Sequence, residues 1–226
     1  MAKFTFAQRK EGFDNHIEDS IRGYTNLWSD ILKYSEYFVE DDLNIVDIGC
    51  STGKLLKNMI QNNSFAPNAN YCGIEIEKDF YKNYDKDEKE FTQLSYHRGD
   101  VRNYEFKNCA LVTSIFTLQF MPEKERLDII KQIYNGLNNG GAFIFAEKTV
   151  AVDVKIHEMR TFTYYDYKRE KFSSEDILTK EKDLRHMMKL NTREQLRNRC
   201  ATAGFAFDQI DSFWQNHSFV GFIAIK

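Results

Sequence analysis

A glycine-bracketed turn after a short apolar run constrains the fold of this chain more than any other feature. The run Asn44-Ile45-Val46-Asp47-Ile48 is apolar enough for a buried strand, and it leads into Gly49-Cys50-Ser51-Thr52-Gly53. A helical pattern at residues 54–60 and a second apolar run at residues 71–75 follow. Strand, turn, helix and strand in this order predict a βαβ unit, in which the two strands are parallel.

Strands alternate with helices along most of the remaining chain, which favours a mostly parallel sheet covered by helices on both faces. Besides the two strands above, the sequence predicts strands at residues 94–98, 110–114, 142–147, 207–214 and 218–225, and a helix at residues 123–137. Only a few residues around Asn216 and His217 separate the last two strands. Because a parallel crossover needs a longer connection, these strands should form an antiparallel hairpin. The predicted fold is α/β, with a mostly parallel seven-stranded sheet.

Two helical segments flank this alternation. Apolar residues recur at helical spacing from Asp14 to about Tyr37, which predicts one long amphipathic helix region inside a cap at residues 1–40. Residues 152–190 are charged, largely helical in pattern and rich in aromatic side chains. We expect them to form an insertion over the active site, although a solvent-exposed helical hairpin fits the pattern equally well. Nothing marks a domain boundary, so residues 1–226 are expected to form one domain.

Composition narrows the classes of protein. The chain has no apolar run near the ~18 residues that a membrane-spanning helix needs, and its first ten residues do not resemble a secretory signal, so we expect a cytoplasmic protein. A formal net charge of -3 gives no overall attraction to a polyanion, and direct nucleic-acid binding is not expected. No metal site is expected either, because the scattered cysteines lack metal-ligand spacing: Cys50, Cys72, Cys109 and Cys200.

The predicted turn at residues 49–53 lies where an open parallel sheet binds its ligands, beyond the carboxyl ends of its strands. Gly49 and Gly53 permit positive φ values or close contact between backbone and ligand. The small side chains of Cys50 and Ser51 leave room for adenosine and methionine. A dinucleotide-binding fold would prefer a glycine at Ser51, so the turn favours S-adenosylmethionine over a dinucleotide.

Three acidic residues follow predicted strands. Asp47 precedes the turn and is expected near the ammonium group of a methionine moiety, unless it only organises the turn. Glu75 ends the second strand, about 22 residues beyond Gly53, where a carboxylate can accept hydrogen bonds from both ribose hydroxyls. Asp100 can accept a hydrogen bond from the amino group of adenine, and the backbone N–H of Val101 can donate to its ring.

The glycine pair Gly140-Gly141 has a structural interpretation. It follows the predicted helix at residues 123–137 and precedes the predicted strand at residues 142–147. We expect it to form the turn that ends the helix.

Motifs spread over nearly the whole chain carry a resemblance to a known family. They are Asp47-Ile48-Gly49-Cys50-Ser51, Gly99-Asp100-Val101, Asn138-Asn139-Gly140-Gly141-Ala142, Phe116-Thr117-Leu118-Gln119-Phe120, Ile133-Tyr134-Asn135-Gly136-Leu137, Glu147-Lys148, Phe13-Asp14-Asn15-His16-Ile17 with Ile21-Arg22-Gly23-Tyr24, Tyr165-Asp166-Tyr167-Lys168-Arg169, and Arg199 with Ala203-Gly204-Phe205. The first three resemble the class I S-adenosylmethionine-dependent methyltransferases. The full set is similar to the carboxy-S-adenosylmethionine synthases within that superfamily.

The resemblance implies a Rossmann-like class I methyltransferase fold and an enzyme that does not methylate. In that family, carbon dioxide lost from prephenate is captured on the activated methyl group of S-adenosylmethionine, and phenylpyruvate is released. The product, carboxy-S-adenosylmethionine, is later used on the wobble uridine of tRNA. The resemblance also implies a homodimer that binds S-adenosylmethionine or its carboxylated product.

Family roles carry over only to matching positions. The resemblance assigns binding or catalytic roles to Tyr24, the Gly49-Cys50-Ser51 turn, Glu75 with Ile76, Asp100 with Val101, Ile115 and Arg199. The planar guanidinium of Arg199 could hold the added carboxylate, although a surface salt bridge on the predicted helix at residues 192–203 is the alternative. Arg22 and Lys148 are weaker candidates for orienting carboxylates.

The chain departs from the family pattern at three places. Ile115 stands where the family usually has asparagine, Glu75-Ile76 where Asp-Asn is common, and Arg22 where proline is frequent.

Two other functions remain open from the sequence. The chain could be an ordinary methyltransferase acting on a small molecule or nucleic acid, or a non-catalytic protein that keeps the nucleoside pocket. A DNA base methylase is disfavoured, because Ser114-Ile115-Phe116-Thr117 stands where such enzymes carry an Asn/Asp-Pro-Pro-aromatic segment.

Overall fold

The computed structural model describes residues 12–226, so residues 1–11 of the predicted N-terminal cap lie outside the described part of the chain. The described helices are α1 (Phe13–Ser20), α2 (Tyr24–Ser35), α3 (Lys54–Asn62), α4 (Tyr84–Glu90), α5 (Glu123–Gly136), α6 (Val154–Arg169), α7 (Ser174–Leu184) and α8 (Arg193–Ala203). The strands are β1 (Asn44–Ile48), β2 (Asn70–Glu75), β3 (Leu94–Arg98), β4 (Cys109–Ile115), β5 (Leu137–Lys148), β6 (Ile210–Asn216) and β7 (Phe219–Ile225).

The strands form one seven-stranded sheet in the order β3-β2-β1-β4-β5-β7-β6. Strands β1 to β5 pair in parallel, whereas β7 pairs antiparallel with both β5 and β6. The predicted α/β fold and its C-terminal hairpin are therefore confirmed. The chain reverses direction along the sheet between β1 and β4, and such a switch point opens a crevice beyond the carboxyl ends of the two strands.

Helices cover both faces of the sheet, because successive apolar side chains of each central strand point to opposite faces. Leu111 belongs to the core on one face, which includes Leu27 and Leu56 of α2 and α3. The next residue, Val112, belongs to the core on the opposite face, with Ile133 of α5. Successive strand residues point to opposite faces, so a doubly covered strand must be apolar at nearly every position. Each such side chain contributes about 1.5–3 kcal/mol when fully buried.

Three local predictions differ from the structure. The predicted helix region at residues 14–37 is two helices, because the chain turns at Ile21–Gly23 between α1 and α2. Strand β6 begins at Ile210 instead of residue 207, since a short 3-10 turn occupies Phe207–Gln209.

The helix-end role predicted for Gly140-Gly141 is wrong. Helix α5 passes directly into β5, because Leu137 already has extended backbone angles. Gly140 and Gly141 lie inside β5, where Gly140 donates its N–H to the Lys226 carbonyl at 2.8 Å. The pair therefore lies in the ladder at the end of the sheet.

Alanine substitutions at Gly49 and Gly140 can separate two effects on the free energy of unfolding: a positive φ at a residue with a Cβ, and a collision between that Cβ and its neighbours. Their φ values are +75° and +82°, but an added Cβ would lie 2.2 Å from Oγ1 of Thr117 at Gly49 and would meet nothing within 4 Å at Gly140. We expect Gly140→Ala to lower the free energy of unfolding by about 1–2 kcal/mol. Gly49→Ala should lower it by a further ~1–3 kcal/mol, because Thr117 must move. Urea unfolding of both variants checks this, and equal losses would contradict the close packing.

Candidate ligand-binding and active site

A cavity of about 330 Å³ lies beyond the carboxyl ends of the central strands. Its floor comes from the turn after β1, the end of β2, the segment after β4 and the end of β5, and α1, α6 and α7 contribute side chains from above. The cavity therefore lies at the switch point of the sheet and has the size of a small-molecule site. Residues of the 152–190 segment, including Tyr164 and Leu184, line it.

The turn after β1 is held by the carboxylate of Glu75. Oε2 of Glu75 accepts the Ser51 N–H at 2.9 Å, and Oε1 accepts the Glu77 N–H at 2.8 Å. Burial raises the pKa of Glu75, and these backbone donors oppose the rise. Since each carboxylate oxygen has a second lone pair, Glu75 can still accept hydrogen bonds from a ligand in the cavity.

Asp47 lies beneath this turn and does not line the cavity. It is buried, and its Oδ1 accepts a hydrogen bond from Oγ1 of Thr113 on the neighbouring strand β4 at 2.7 Å. Burial raises the pKa of Asp47 to about 7, the Thr113 hydrogen bond opposes the rise, and the nearby Glu75 carboxylate adds to it. The carboxylate therefore links the end of β1 to β4.

The remaining residues of the turn divide between the cavity and its support. Gly49 and Ser51 line the cavity. Cys50 is buried, with its Sγ 3.4 Å from the Tyr84 hydroxyl, and that hydroxyl donates to the Ser51 carbonyl. A side chain at Gly53 would meet the Tyr96 hydroxyl, so this glycine is required by packing and not by the cavity.

Of the other predicted nucleoside contacts, Ile76 and Ile115 line the cavity but Asp100 and Val101 do not. The Asp100 carboxylate accepts hydrogen bonds from the backbone N–H of Arg102 at 2.9 Å and from its Nε at 3.0 Å. These hydrogen bonds hold the pKa of Asp100 below its usual range. A ligand at this position would have to share the carboxylate with Arg102.

The segment after β4 has an unusual backbone. Phe116 has a φ of +57°, which a bulky residue rarely adopts and which costs on the order of 1–3 kcal/mol. Gln119 holds the segment in place, because its Oε1 accepts the Lys148 N–H at 2.8 Å and its Nε2 donates to the Phe116 carbonyl at 3.3 Å. Phe116, Thr117 and Gln119 all line the cavity. The sequence singled them out only through the family resemblance.

Three lysines line the cavity: Lys148 at the end of β5, Lys168 on α6 and Lys180 on α7. Nζ of Lys148 lies 5.1 Å from the ring centre of Tyr164, and Nζ of Lys168 lies 5.4 Å from the same ring centre. Lys148 also pairs with Glu181 at 3.0 Å, and Lys180 donates to Nε2 of His16 at 2.6 Å. Of the three lysines, the sequence indicated only Lys148 as a candidate for orienting a carboxylate. A helical pattern does not reveal which of its side chains reach the end of a distant strand.

The two residues predicted to be catalytic do not line the cavity. Nη1 of Arg199 donates to Oδ1 of Asn191 at 3.0 Å, and its Nη2 lies 3.5 Å from a carboxylate oxygen of Glu123. Tyr24 is buried between Trp28 and Phe116, with ring-centre distances of 5.6 and 6.3 Å. Within one chain, Arg199 therefore makes a salt bridge, and the cations that face the cavity are lysines.

The charges in the cavity are separated along the sheet edge. Glu75 ends β2 and Lys148 ends β5, and β1 and β4 lie between them. Three strand spacings of roughly 4.8 Å put these ends about 14 Å apart. The wall between them is apolar and includes Ile115, Phe116 and Phe120. The cavity can therefore hold a ligand with hydroxyl donors at one end and an anionic group at the other.

Comparisons with known proteins agree with this geometry. Residues 45–141 match the family described as Methyltransferase domain. The chain is 36% identical to a carboxy-S-adenosyl-L-methionine synthase from Staphylococcus epidermidis over 99% of this chain and 96% of that protein. It is 31% identical to a protein of the same name from Haemophilus ducreyi over 100% of this chain and 93% of that protein.

Solved structures agree on the fold. An O-methyltransferase family protein from Burkholderia thailandensis matches with a TM-score of 0.64 and 12% identity, over 98% of this chain and 61% of that chain. The chain therefore spans about three-fifths of that structure, and a likeness at this identity shows the fold alone. The Rossmann-like class I methyltransferase fold predicted from the sequence is confirmed.

Burial of Asp47 predicts a characteristic pH dependence of stability. Asp47 titrates near pH 3.9 in an unfolded chain and at about 7 in the folded protein. Between these values the folded state binds more protons, so this group's contribution to the free energy of unfolding falls as the pH rises from about 4 to about 7. Asp47→Asn removes the titrating group and keeps an acceptor for Thr113.

Urea unfolding of both proteins across this pH range measures the effect. The stability of Asp47→Asn relative to the natural protein should increase with pH. Glu147, whose pKa burial also raises to about 7, is present in both proteins and cancels in the difference. A difference that does not change with pH would contradict the prediction.

Proposed function

This chain belongs to the carboxy-S-adenosyl-L-methionine synthase family, and from that premise we propose that it is itself such a synthase. It would attach a carboxylate to the methyl group of S-adenosylmethionine instead of transferring that methyl group. The observation that carries the proposal is the cavity itself, in which a carboxylate end suits a nucleoside and an ammonium-lined end suits a second, anionic molecule.

The nucleoside would occupy the end next to β2. Glu75 would accept the ribose hydroxyls, and the backbone at Gly49 would contact the ligand directly. Gly49 supports this placement because it lines the cavity, although the space next to its Cα is filled by Thr117. Ile76 and Ile115 would provide apolar contacts, while Asp100 and Val101 would serve adenine if Arg102 shares the carboxylate. When bound, S-adenosylmethionine supplies a methyl group activated by the adjacent sulfonium.

The remaining predicted site residues would act through others. Asp47, Cys50 and Gly53 would keep the turn in shape. Tyr24 would support Phe116, and Arg199 would hold Asn191. In the proposal these residues position the groups that touch the ligand.

The carboxylate source would occupy the end next to β5, and we propose prephenate, a dicarboxylate. Lysines in a partly desolvated site attract and orient carboxylates more strongly than lysines in water. Apolar side chains between the two ends, including Phe116, Phe120 and Met187, line the path from one end to the other. They would exclude bulk water and so keep released carbon dioxide next to the methyl group. The new carbon–carbon bond would replace a methyl C–H bond, and that proton would leave as water with the hydroxide that prephenate loses on becoming phenylpyruvate. The product would then serve modification of the wobble uridine of tRNA.

The proposal includes a homodimer and a cytoplasmic location. Exposed apolar side chains on one side of α6, Ile156, Met159 and Phe162, support a protein contact there. The four cysteines are free, as a reducing compartment favours. Among residues 12–226, no helix combines the length and apolar character needed to cross a bilayer.

Ordinary methyl transfer is the second candidate, because the fold is shared with an O-methyltransferase family protein. The two reactions leave different products. Incubating the protein with S-adenosylmethionine and prephenate, followed by mass analysis, should yield S-adenosylmethionine heavier by one carbon dioxide, together with phenylpyruvate. Absence of the carboxylated nucleoside would reject the proposal, and S-adenosylhomocysteine formed when a cell extract supplies the acceptor would favour methyl transfer.

The role of Glu75 gives a separate prediction. Glu75→Gln replaces one acceptor oxygen with an NH₂ group that faces a backbone N–H donor. We expect affinity for S-adenosylmethionine to fall about tenfold or more, since a hydrogen bond to a charged group contributes about 1.5–3 kcal/mol. Isothermal titration calorimetry measures the loss. The control is Glu105→Gln, which makes the same chemical change at an exposed position. Equal affinity of both variants would contradict the ribose role.

A further inference from the structure

We propose that Glu181 is a built-in competitor: it occupies a carboxylate site formed by Lys148, Lys168 and Tyr164, and the anionic co-substrate takes this site over when it binds. The inference rests on the proposed function, because it assigns residues to the anionic molecule in the same cavity. It makes Glu181 a residue that sets how tightly the anionic co-substrate binds.

The contact between Glu181 and Lys148 has the form of a bound carboxylate. Both carboxylate oxygens of Glu181 face the same ammonium, with Nζ of Lys148 at 3.0 Å from Oε1 and 3.2 Å from Oε2. The side chains are 13% and 21% exposed, so the pair is screened less than a surface ion pair. The backbone of Lys148 is fixed by pairing with Phe219 and by the hydrogen bond to Gln119. Lys148 therefore presents its ammonium from a rigid strand end.

A second ammonium completes the site. Lys168 is only 2% exposed and lines the cavity, and its Nζ lies 5.4 Å from the ring centre of Tyr164, the ring that also faces Lys148. The electron-rich face of a tyrosine attracts an ammonium by about 0.5–2 kcal/mol, which offsets part of the cost of burying a cation. Burial raises the pKa of the Tyr164 phenol, so the ring stays neutral. Both ammonium groups therefore lie within 5.4 Å of the Tyr164 ring centre, and both lysines line the cavity.

The position of Glu181 allows it to leave. Glu181 lies on α7 between Ile177 and Leu184, which are buried and hold the helix down. These residues share one face of the helix, at spacings of four and three. Because Ile177 and Leu184 anchor the helix, a change of the Glu181 rotamer can move its carboxylate without moving the backbone.

Competition follows from charge. A ligand carboxylate that reaches Lys148 meets the Glu181 carboxylate on the same ammonium, and two like charges at that distance repel. The ligand must supply enough attraction to displace Glu181. A neutral molecule of the same shape gains nothing from the lysines and cannot displace it. The lysines therefore favour anions over neutral analogues, and Glu181 lowers the affinity of the site for the anion by competing with it.

The experiment compares Glu181→Gln with Asp183→Asn. The first keeps the shape and an acceptor for Lys148 but removes the charge. The second removes the same charge from an exposed position on the same helix. Titration calorimetry in the presence of saturating S-adenosylmethionine uses phenylpyruvate as the anionic probe and phenylacetone as its neutral counterpart. Thermal unfolding of each variant confirms that it is folded.

We expect Glu181→Gln to bind phenylpyruvate about tenfold more tightly than the natural protein, equivalent to about 1.4 kcal/mol. Asp183→Asn should bind phenylpyruvate as the natural protein does, and neither variant should change binding of phenylacetone. Lys168→Met should weaken phenylpyruvate binding. If burial of that position prevents folding, Lys148→Met tests the cation requirement instead.

Three outcomes would overturn the inference. Weaker or unchanged phenylpyruvate binding by Glu181→Gln would show that Glu181 only stabilises the structure around Lys148. Failure of every variant to bind phenylpyruvate would lead to the same conclusion. Tighter binding of S-adenosylmethionine, with phenylpyruvate unaffected, would assign the lysines to the carboxylate of the nucleoside. These readouts are equilibrium affinities. Absence of a carboxylated product would therefore reject the proposed function without deciding the role of Glu181.

Discussion

The site depends on one contact, the hydrogen bonds between the Glu75 carboxylate and the backbone N–H groups of Ser51 and Glu77. Parallel pairing of β1 with β2 places Ile48 opposite Ile74, so the turn after β1 begins where Glu75 ends β2. The Gly49 and Cys50 N–H groups donate to the Ile74 carbonyl at 2.8 and 3.1 Å, and the Glu75 carboxylate continues this connection to Ser51. A buried charge is tolerated there because N–H donors surround it. Thr117 can pack against Gly49 only because that turn is fixed.

The sheet then acts as a spacer between two electrostatic environments. Acceptors collect at the end of β2 and ammonium groups near the end of β5, with an apolar wall over β1 and β4. Lys148 pairs with Glu181, whereas Glu75 ends a strand three positions away in the rigid sheet and forms no ion pair with Lys148. This arrangement suits a reaction that joins a cationic sulfonium nucleoside to an anionic carbon source, because each partner finds its own end of the cavity. The apolar wall keeps water from the space where they meet.

A buried arginine holds together the segments that frame the basic end. Arg126 is fully buried and donates to the carbonyls of Gln119 at 2.8 Å, Met121 at 3.0 Å and Lys189 at 2.7 Å. Burial lowers its pKa, and the carbonyl acceptors offset part of the cost of burying the charge. The segment after β4 and the chain leaving α7 are thereby fixed to α5. The unusual backbone of Phe116 persists because such packing leaves it no alternative.

The sequence by itself determined the features that depend on neighbouring residues. Apolar runs and short connections specified the seven strands and the C-terminal hairpin, and the glycine turn and Glu75 supplied residues that line the cavity. Tertiary structure decided the rest, because a local pattern shows that a side chain is buried or exposed but not what it meets. It turned Arg199 towards Glu123 instead of the cavity, and it brought Lys168 of α6 to the cavity that also contains Lys148 at the end of β5. Contacts between residues so far apart in the chain are set by how helices pack on the finished sheet.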